Sequence, residues 1–436
     1  MTIARTERLI VDYEYGAQSV FALKEAAGGL CEIIWLVNLS TPQMRQLARL
    51  MSRLGTVVDV ADRPELHIVE ELRRLGPTGI LSLSDRSGMM MARIAAALGL
   101  EFHSPEVAGR LFDKLHQRES LLVGGISCPA FVGVWAGADP VDIEAFATHV
   151  GFPAVLKPRQ GSASRDAYRV RGREDLARLL VAGGPLQDEE GGMILEGYLP
   201  SPDHRVSRFA PIVSVESYVS GGELHHFAVT GRLPFAEPFR ETGSVLPSDL
   251  SAELARTAEA TAAEAIGALG ATYGCFHTEM KFTPEGPRII EVNGRIGGGI
   301  PEMVELAGGN ESILRLAVEL ALGVPGHVQP CYSRIGWWRA VTPPVSANRI
   351  EAITGLEKLK HLPGVDHVIV NRGAGEAVDW RQGYRDFVVQ VYGSGRDYEE
   401  VENQCASVDR AISVTYGEAA SVGVSVRVGA DDRRSA

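Results

Sequence analysis

HTEMKFTPEGPRIIEVNGR, residues 277–295, reads as two strands joined by the turn Pro284-Glu285-Gly286. Side chains two apart on a strand share a face, so Glu291, Asn293 and Arg295 point the same way. Across the turn, the partner strand brings Glu279 beside them. Two carboxylates and an amide oxygen, set among Ile289, Ile290 and Val292, form a hard-oxygen site suited to Mg²⁺, which takes few protein carboxylates and fills its shell with water and phosphate oxygens. Taken alone, the same pattern also fits an exposed hairpin whose Glu and Arg side chains form a solvated face.

Two lysines upstream weigh against the exposed hairpin. Lys114, in FDKLHQRESL, stands just inside a helix start, and Lys157, in AVLKP, ends a strand ahead of the small-residue loop RQGSASRD at 159–166. Ammonium heads on two separate elements are placed to grip a polyphosphate, with backbone N–H groups of the 161–164 loop covering it. Neither GxxxxGK[ST] nor GxGxxG stands at these positions, so neither a P-loop nor a dinucleotide fingerprint accounts for them.

Composition narrows the partners. The chain has 436 residues, 43 basic against 55 acidic, a net charge of −12. Such a balance argues against broad binding to nucleic acid or an anionic membrane, which needs many cations facing phosphate. Six of the basic residues are lysines, and a lysine offers a compact point charge that arginine does not reproduce. The five cysteines (Cys31, Cys128, Cys275, Cys331, Cys405) are scattered without a CxxC, the usage of a reduced, cytosolic protein. No signal-like N-terminus and no run approaching ~20 apolar residues is seen, so a soluble, cytoplasmic protein is expected.

Outward from the hairpin, the pattern divides the chain into an α/β part and an α+β part. In residues 1–112, strand-like CEIIWLVNLS (31–40) and TGILSLSD (78–85) alternate with helical TPQMRQLARLMSRLG (41–55) and SGMMMARIAAALGL (87–100), the rhythm of a parallel open sheet. Ligands collect at the carboxyl ends of such strands, which places Ser82, Ser84, Asp85 and Ser87 near a substrate; Ser87 equally suits an N-cap for the next helix. Residues 113–200 form a small lobe with strands at 128–134, 152–158, 163–170 and 192–199 and helices at 139–151 and 173–183. Residues 201–325 carry strands at 212–222, 223–232, 273–283 and 287–295 and a long Ala-rich helix at 251–270. Residues 326–425 mix strands with a final helix, and 426–436 read as a tail. His225 and His226 are adjacent, hence on opposite strand faces and unsuited to one metal. Cys275 reads as core, and Trp337–Trp338 as packing residues.

The order Lys114, Lys157, small-residue loop, Glu196, Glu279, then Glu291-x-Asn293-x-Arg295 resembles the ATP-grasp superfamily, and the resemblance covers roughly residues 5–420. Within it, the run VSVESYVSGGELHHFAVTGRLPFAEPFRETGSVLPSDL (213–250) followed by HTE is similar to the carboxylate–amine ligases that make dipeptides, the L-amino acid ligases. The resemblance implies an N-terminal Rossmann-like domain, a central lid lobe and a C-terminal lobe, with a mobile lid closing on nucleotide. It also implies ATP and Mg²⁺ as cofactors (two ions, with Mn²⁺ as a substitute), amino acids as substrates, and a homodimer. By the same resemblance, Lys114 and Lys157 contact the phosphates, while loop residues Gln160, Gly161, Ser162 and Ser164 close over them. Glu196, with the backbone of Leu199, receives the adenine. Glu279, Glu291 and Asn293 hold the metal; Arg295 stabilises the oxyanion of the reacting carboxylate; Glu241 neutralises the amino group of the activated amino acid. Ser244, Gly299 and Ser84 line the substrate pocket. Some relatives carry His where this chain has Ser244, a departure that bears on the polar end of the substrate; some place an aromatic after the arginine where this chain has the small run IGGGIP, which implies a roomier pocket or serves a tight turn at Gly297–Gly299.

The activity implied is ADP-forming activation of an amino acid carboxylate as an acyl phosphate, followed by attack of an amine. Alternatives are a ligase for another carboxylate (biotin carboxylase-like or formyl-transferring), a phosphotransferase, and a regulatory protein without catalysis. Retention of Glu279, Glu291, Asn293 and Arg295 speaks against the last.

Overall fold

The computed structural model describes residues 7–14, 18–161, 164–180 and 192–418. The first strands, β1 (Glu7–Tyr13), β2 (Cys31–Val37), β3 (Thr56–Asp59) and β4 (Gly79–Leu81), form a parallel sheet in the order β3-β2-β1-β4. Their centres are near-continuous buried runs, as in Leu9–Val11 and Ile33–Val37, because helices cover both faces of a parallel sheet. β4 is shorter than the 78–85 pattern predicts. Ser82 Oγ and Leu83 N–H turn instead to the carboxylate of Asp12 on the adjacent β1, at 3.1 and 2.6 Å. Ser87 heads the helix Gly88–Leu98 but makes no cap bond; its hydroxyl donates to Asp12 as well.

A second sheet contains β5 (Phe131–Val134), β6 (Ala154–Pro158), β7 (Tyr168–Val170) and β8 (Met193–Gly197), ordered β5-β8-β6-β7. β7 starts later than the alternation at 163–170 suggests, because Ser164 (φ 54°) and Asp166 (φ 47°) adopt left-handed backbone that no strand accommodates. Val155 lies opposite Glu196 in register, so Lys157, two residues on, is the diagonal same-face neighbour of Glu196.

The third sheet is built from β9 (Ile212–Ser220), β10 (Glu223–Arg232), β11 (Gly243–Leu246), β12 (Gly274–Thr283) and β13 (Gly286–Asn293). Beyond β14 (Ile335–Val341) and β15 (Ala347–Thr354) come β16 (Val365–Val370), β17 (Val389–Gly395) and β18 (Ser413–Glu418). β15 and β18 pair by themselves; the rest form one antiparallel sheet ordered β13-β12-β9-β10-β11-β14-β17-β16. One face is apolar: Val213, Val215, Phe276, Met280, Ile289 and Val292 cluster with Ala258, Ala262 and Ala265 of the helix Ala252–Ala268. The short alanine side chains let this helix lie close to the sheet. The opposite, polar face looks into a cleft of about 1700 Å³ that residues of all three sheets line.

Trp337 and Trp338 divide between the two sides, Trp337 into the C-terminal core and Trp338 beside the cleft. His225 stacks on Tyr218 while His226 contacts Ser217 Oγ, which is the expected split. Cys275 is buried.

Candidate active site

Sheet register assembles the polar face row by row. His277 lies opposite Glu216 on one side and Asn293 on the other, while Glu279 lies between Ser214 and Glu291. A bulge next to Glu279 turns both Ile290 and Glu291 toward the cleft, without disturbing the alternation that carries Glu291, Asn293 and Arg295 to one side. Further along, Arg232 pairs with Ser244, and Ser244 with Trp338.

Arg232 is the hub of this face. It is buried, with Nε 2.9 Å from Glu241, Nη1 3.1 Å from Ser214 Oγ and Nη2 3.3 Å from Glu279. His277 Nδ1 contacts Glu216 at 2.8 Å, and its Nε2 contacts Glu279 at 3.1 Å. Burial alone would lower the His277 pKa, but the two flanking carboxylates push it up to about 9. The charged imidazole then also lies 3.1 Å from Arg232 Nη2, a like-charge contact that the three carboxylates Glu216, Glu241 and Glu279 offset. Three anions against two cations leave the face negative.

A second group sits at the lobe junction. Lys114, first residue of the helix Lys114–Val123, reaches Glu291 at 2.8 Å and donates to the Gly161 carbonyl at 2.6 Å. Glu196 is clasped by Arg118 and Lys157, each at 2.8 Å. Burial would raise the Glu196 pKa, yet these two cations hold it at about 2. The folded value lies below the ordinary 4.5, so the cluster contributes stability that is present above about pH 4.5 and is lost as pH falls toward 2. The difference in unfolding midpoint between wild type and Glu196→Gln should therefore shrink across that window; a constant difference from pH 6 to 2 would contradict the charged cluster.

A third group joins the N-terminal sheet to the rest. Arg295 donates from Nε and Nη2 to Asp85 Oδ2, at 2.8 and 2.5 Å, and from Nη1 to the Ile296 carbonyl. Ser84 donates to Glu14 at 2.8 Å, and Glu14 is shared by Arg86 and Arg385. Gly299 caps the helix Ile300–Leu306 with a left-handed φ of 72°, a conformation glycine adopts without the Cβ penalty. Leu199 accepts from Lys281 Nζ through its carbonyl at 2.6 Å.

Of the residues singled out from sequence, Ser84, Lys114, Lys157, Gly161, Ser164, Glu196 and Leu199 line the cleft, together with Glu241, Ser244, Glu279, Glu291, Asn293, Arg295 and Gly299. Gln160 does not line it, and Ser162 lies outside the described residues. Sequence reading missed Arg118, Arg232 and Arg385. The available signal for Arg232 was only its same-face alternation with Thr230 along β10.

The residues fit a hydrated Mg²⁺. Among the described residues no group of three or more His, Cys, Asp and Glu could hold a metal ion, but two facing carboxylates and a buried amide on a net negative face are the sparse oxygen set that Mg²⁺ accepts when phosphates complete its shell.

No protein-family model matches the chain. Uncharacterized protein y4rH of Sinorhizobium fredii is 24% identical over 390 residues, 88% of this chain and 74% of that protein. Carnosine synthase 1 of Gallus gallus is 33% identical over 133 residues, 30% of this chain; the match spans only 13% of that protein. Among solved structures, L-amino acid ligase from Bacillus licheniformis superposes with a TM-score of 0.75 at 20% identity, covering 95% of this chain and 100% of that one. Carboxyaminoimidazole ribonucleotide synthase from Aspergillus clavatus, complexed with ATP, gives 0.71 at 16% identity, with 93% and 99% covered. The chain therefore has the ATP-grasp fold, with a parallel N-terminal sheet and antiparallel sheets beyond it. No helix among the described residues is long and apolar enough to cross a membrane.

Proposed function

We propose that this chain is an ATP-dependent, ADP-forming ligase that activates an amino acid carboxylate as an acyl phosphate and joins it to an amine, a second amino acid, to give a dipeptide or amide. The observation carrying this reading is that one cleft gathers Lys114 and Lys157, the Glu279/Glu291/Asn293 set and Arg295. Phosphoryl transfer needs positioning and charge neutralisation more than covalent participation by the protein. Lys114 and Lys157 hold the phosphates in line with the acceptor carboxylate, the loop from Gln160 to Asp166 covers them, and Glu196 with Leu199 receives the adenine. Glu279, Glu291 and Asn293 would hold Mg²⁺, as two ions, which neutralises phosphate charge when bound. Arg295 stabilises charge on the carboxylate under attack, while Glu241 and Ser244 receive the polar end of the same substrate. Closure of the lobe carrying β5–β8 keeps water from the acyl phosphate. The acidic, CxxC-free composition supports a cytoplasmic setting, and the family resemblance supports a homodimer.

The test is ADP and phosphate release across paired amino acids, with mass spectrometry of products. Release that requires two amino acids together, with a dipeptide mass, is expected. AMP as product would defeat the acyl-phosphate route, and a phosphorylated product formed without an amine would favour a phosphotransferase.

A further inference from the structure

Glu279 and Glu291 are each gripped by one oxygen only. Glu291 meets Lys114 Nζ through Oε1, and Glu279 takes both His277 Nε2, at 3.1 Å, and Arg232 Nη2, at 3.3 Å, on its Oε1. Among the described residues no contact falls on either Oε2, and neither of these oxygens is shielded from solvent where the two side chains line the cleft. Oε1 thus fixes each carboxylate, and Oε2 is the atom that a ligand in the cleft can reach.

The two donors on Glu279 differ in what else they hold. Arg232 spreads its remaining N–H groups over Glu241 and Ser214. His277 spends its Nδ1 on Glu216, 2.8 Å from Oε2, which leaves Nε2 for Glu279. Glu216 is fixed in turn, because the hydroxyls of Ser214 and Thr230 donate to its Oε1 at 2.6 and 3.2 Å. Ser214, Glu216, Thr230 and His277 are all buried, and Glu216 lies opposite His277 in register. His277 lines the cleft, but Glu216 does not. A carboxylate buried beneath the cleft floor is tolerated only with partners such as these, and it can act on a ligand only through the group it holds.

Resting on the ligase reading, we propose that Glu216 and His277 are positioning residues for metal binding: Glu216 sets the His277 ring, and His277 Nε2 holds Glu279 by Oε1, leaving Oε2 free for Mg²⁺. Neither residue need touch metal or nucleotide to do this. Removing a hydrogen-bonding partner behind a metal ligand typically weakens metal binding by about 10–100-fold.

His277→Asn and His277→Gln separate the two ends of the ring. An asparagine amide can stand in for Nδ1 beside Glu216 but has no atom where Nε2 lies; a glutamine amide reaches that place and can donate to Glu279. The readout is the dissociation constant of Mn²⁺ from the enzyme–ADP complex, measured by electron paramagnetic resonance without turnover. The asparagine variant should bind Mn²⁺ about tenfold or more weakly, the glutamine variant within about threefold of wild type, and the affinity for ADP in EDTA should stay within about twofold in both. Unchanged Mn²⁺ affinity in the asparagine variant, equal losses in the two variants, or an equal loss of metal-free ADP binding would overturn the assignment. Should the asparagine variant not fold, Glu216→Gln decides: a neutral amide holds Nδ1 more weakly than a carboxylate, so Mn²⁺ affinity should again fall about tenfold, and an unchanged value would overturn the proposal. Wild-type enzyme that releases no ADP with any carboxylate–amine pair would instead defeat the ligase reading, on which this inference rests.

Discussion

Glu291→Ala should lower turnover by about a thousandfold or more while leaving the fold intact, since groups that neutralise charge in phosphoryl transfer contribute several kcal/mol. Glu291 faces Glu279 across β12 and β13 and is the partner of Lys114 at 2.8 Å. Its loss removes one of the two carboxylates that we propose hold Mg²⁺ and takes from Lys114 its anion. The fold should tolerate this, because the Glu291 side chain is 15% exposed and stands on the cleft side of the sheet. ADP release measured over a Mg²⁺ titration would show both the lost rate and a raised Mg²⁺ requirement. Near-normal rates would remove Glu291 from the site.

Arg232→Met should act in the opposite manner, through stability first. Arg232 is 3% exposed and touches Glu241, Glu279, Ser214 and His277. Methionine fills much of the volume but leaves Glu216, Glu241 and Glu279 with the His277 imidazole as their remaining cation. Breaking a buried charge cluster in this way costs about 3–5 kcal/mol, readable as a lower denaturant midpoint by circular dichroism. Arg232→Lys should be intermediate, since one ammonium cannot reproduce a guanidinium's spread of contacts. A loss under about 1 kcal/mol for the methionine variant would mean that the cluster is solvated rather than buried.

The two variants also separate what was legible from what was not. Glu291, Asn293 and Arg295 were readable because strand alternation and a three-residue turn are local, and the local pattern survives even the bulge beside Glu279. Lys114 and Lys157 were readable from their positions at element ends. The short strands β3 and β11, four residues each, are below the length at which periodicity speaks, and β11 is buried throughout. Arg232 reaches Glu279 only because β12, β9 and β10 lie side by side in that order, and strand order leaves no mark on periodicity.

By itself, the sequence determined the element types, the family resemblance and the acidic, lysine-poor balance that disfavours polyanions in general, with two of its six lysines at element ends where we propose a phosphate ligand. Tertiary structure alone decided the pairings that turn those residues into a cleft: Asp85 with Arg295 across 210 positions, Glu14 with Arg385 across 371, and Glu196 between Arg118 and Lys157. The reason is physical. Backbone geometry dictates which side chains share a face within one strand, whereas the burial of apolar faces dictates which strands become neighbours, and a buried charge is stable only beside the partner that this packing supplies.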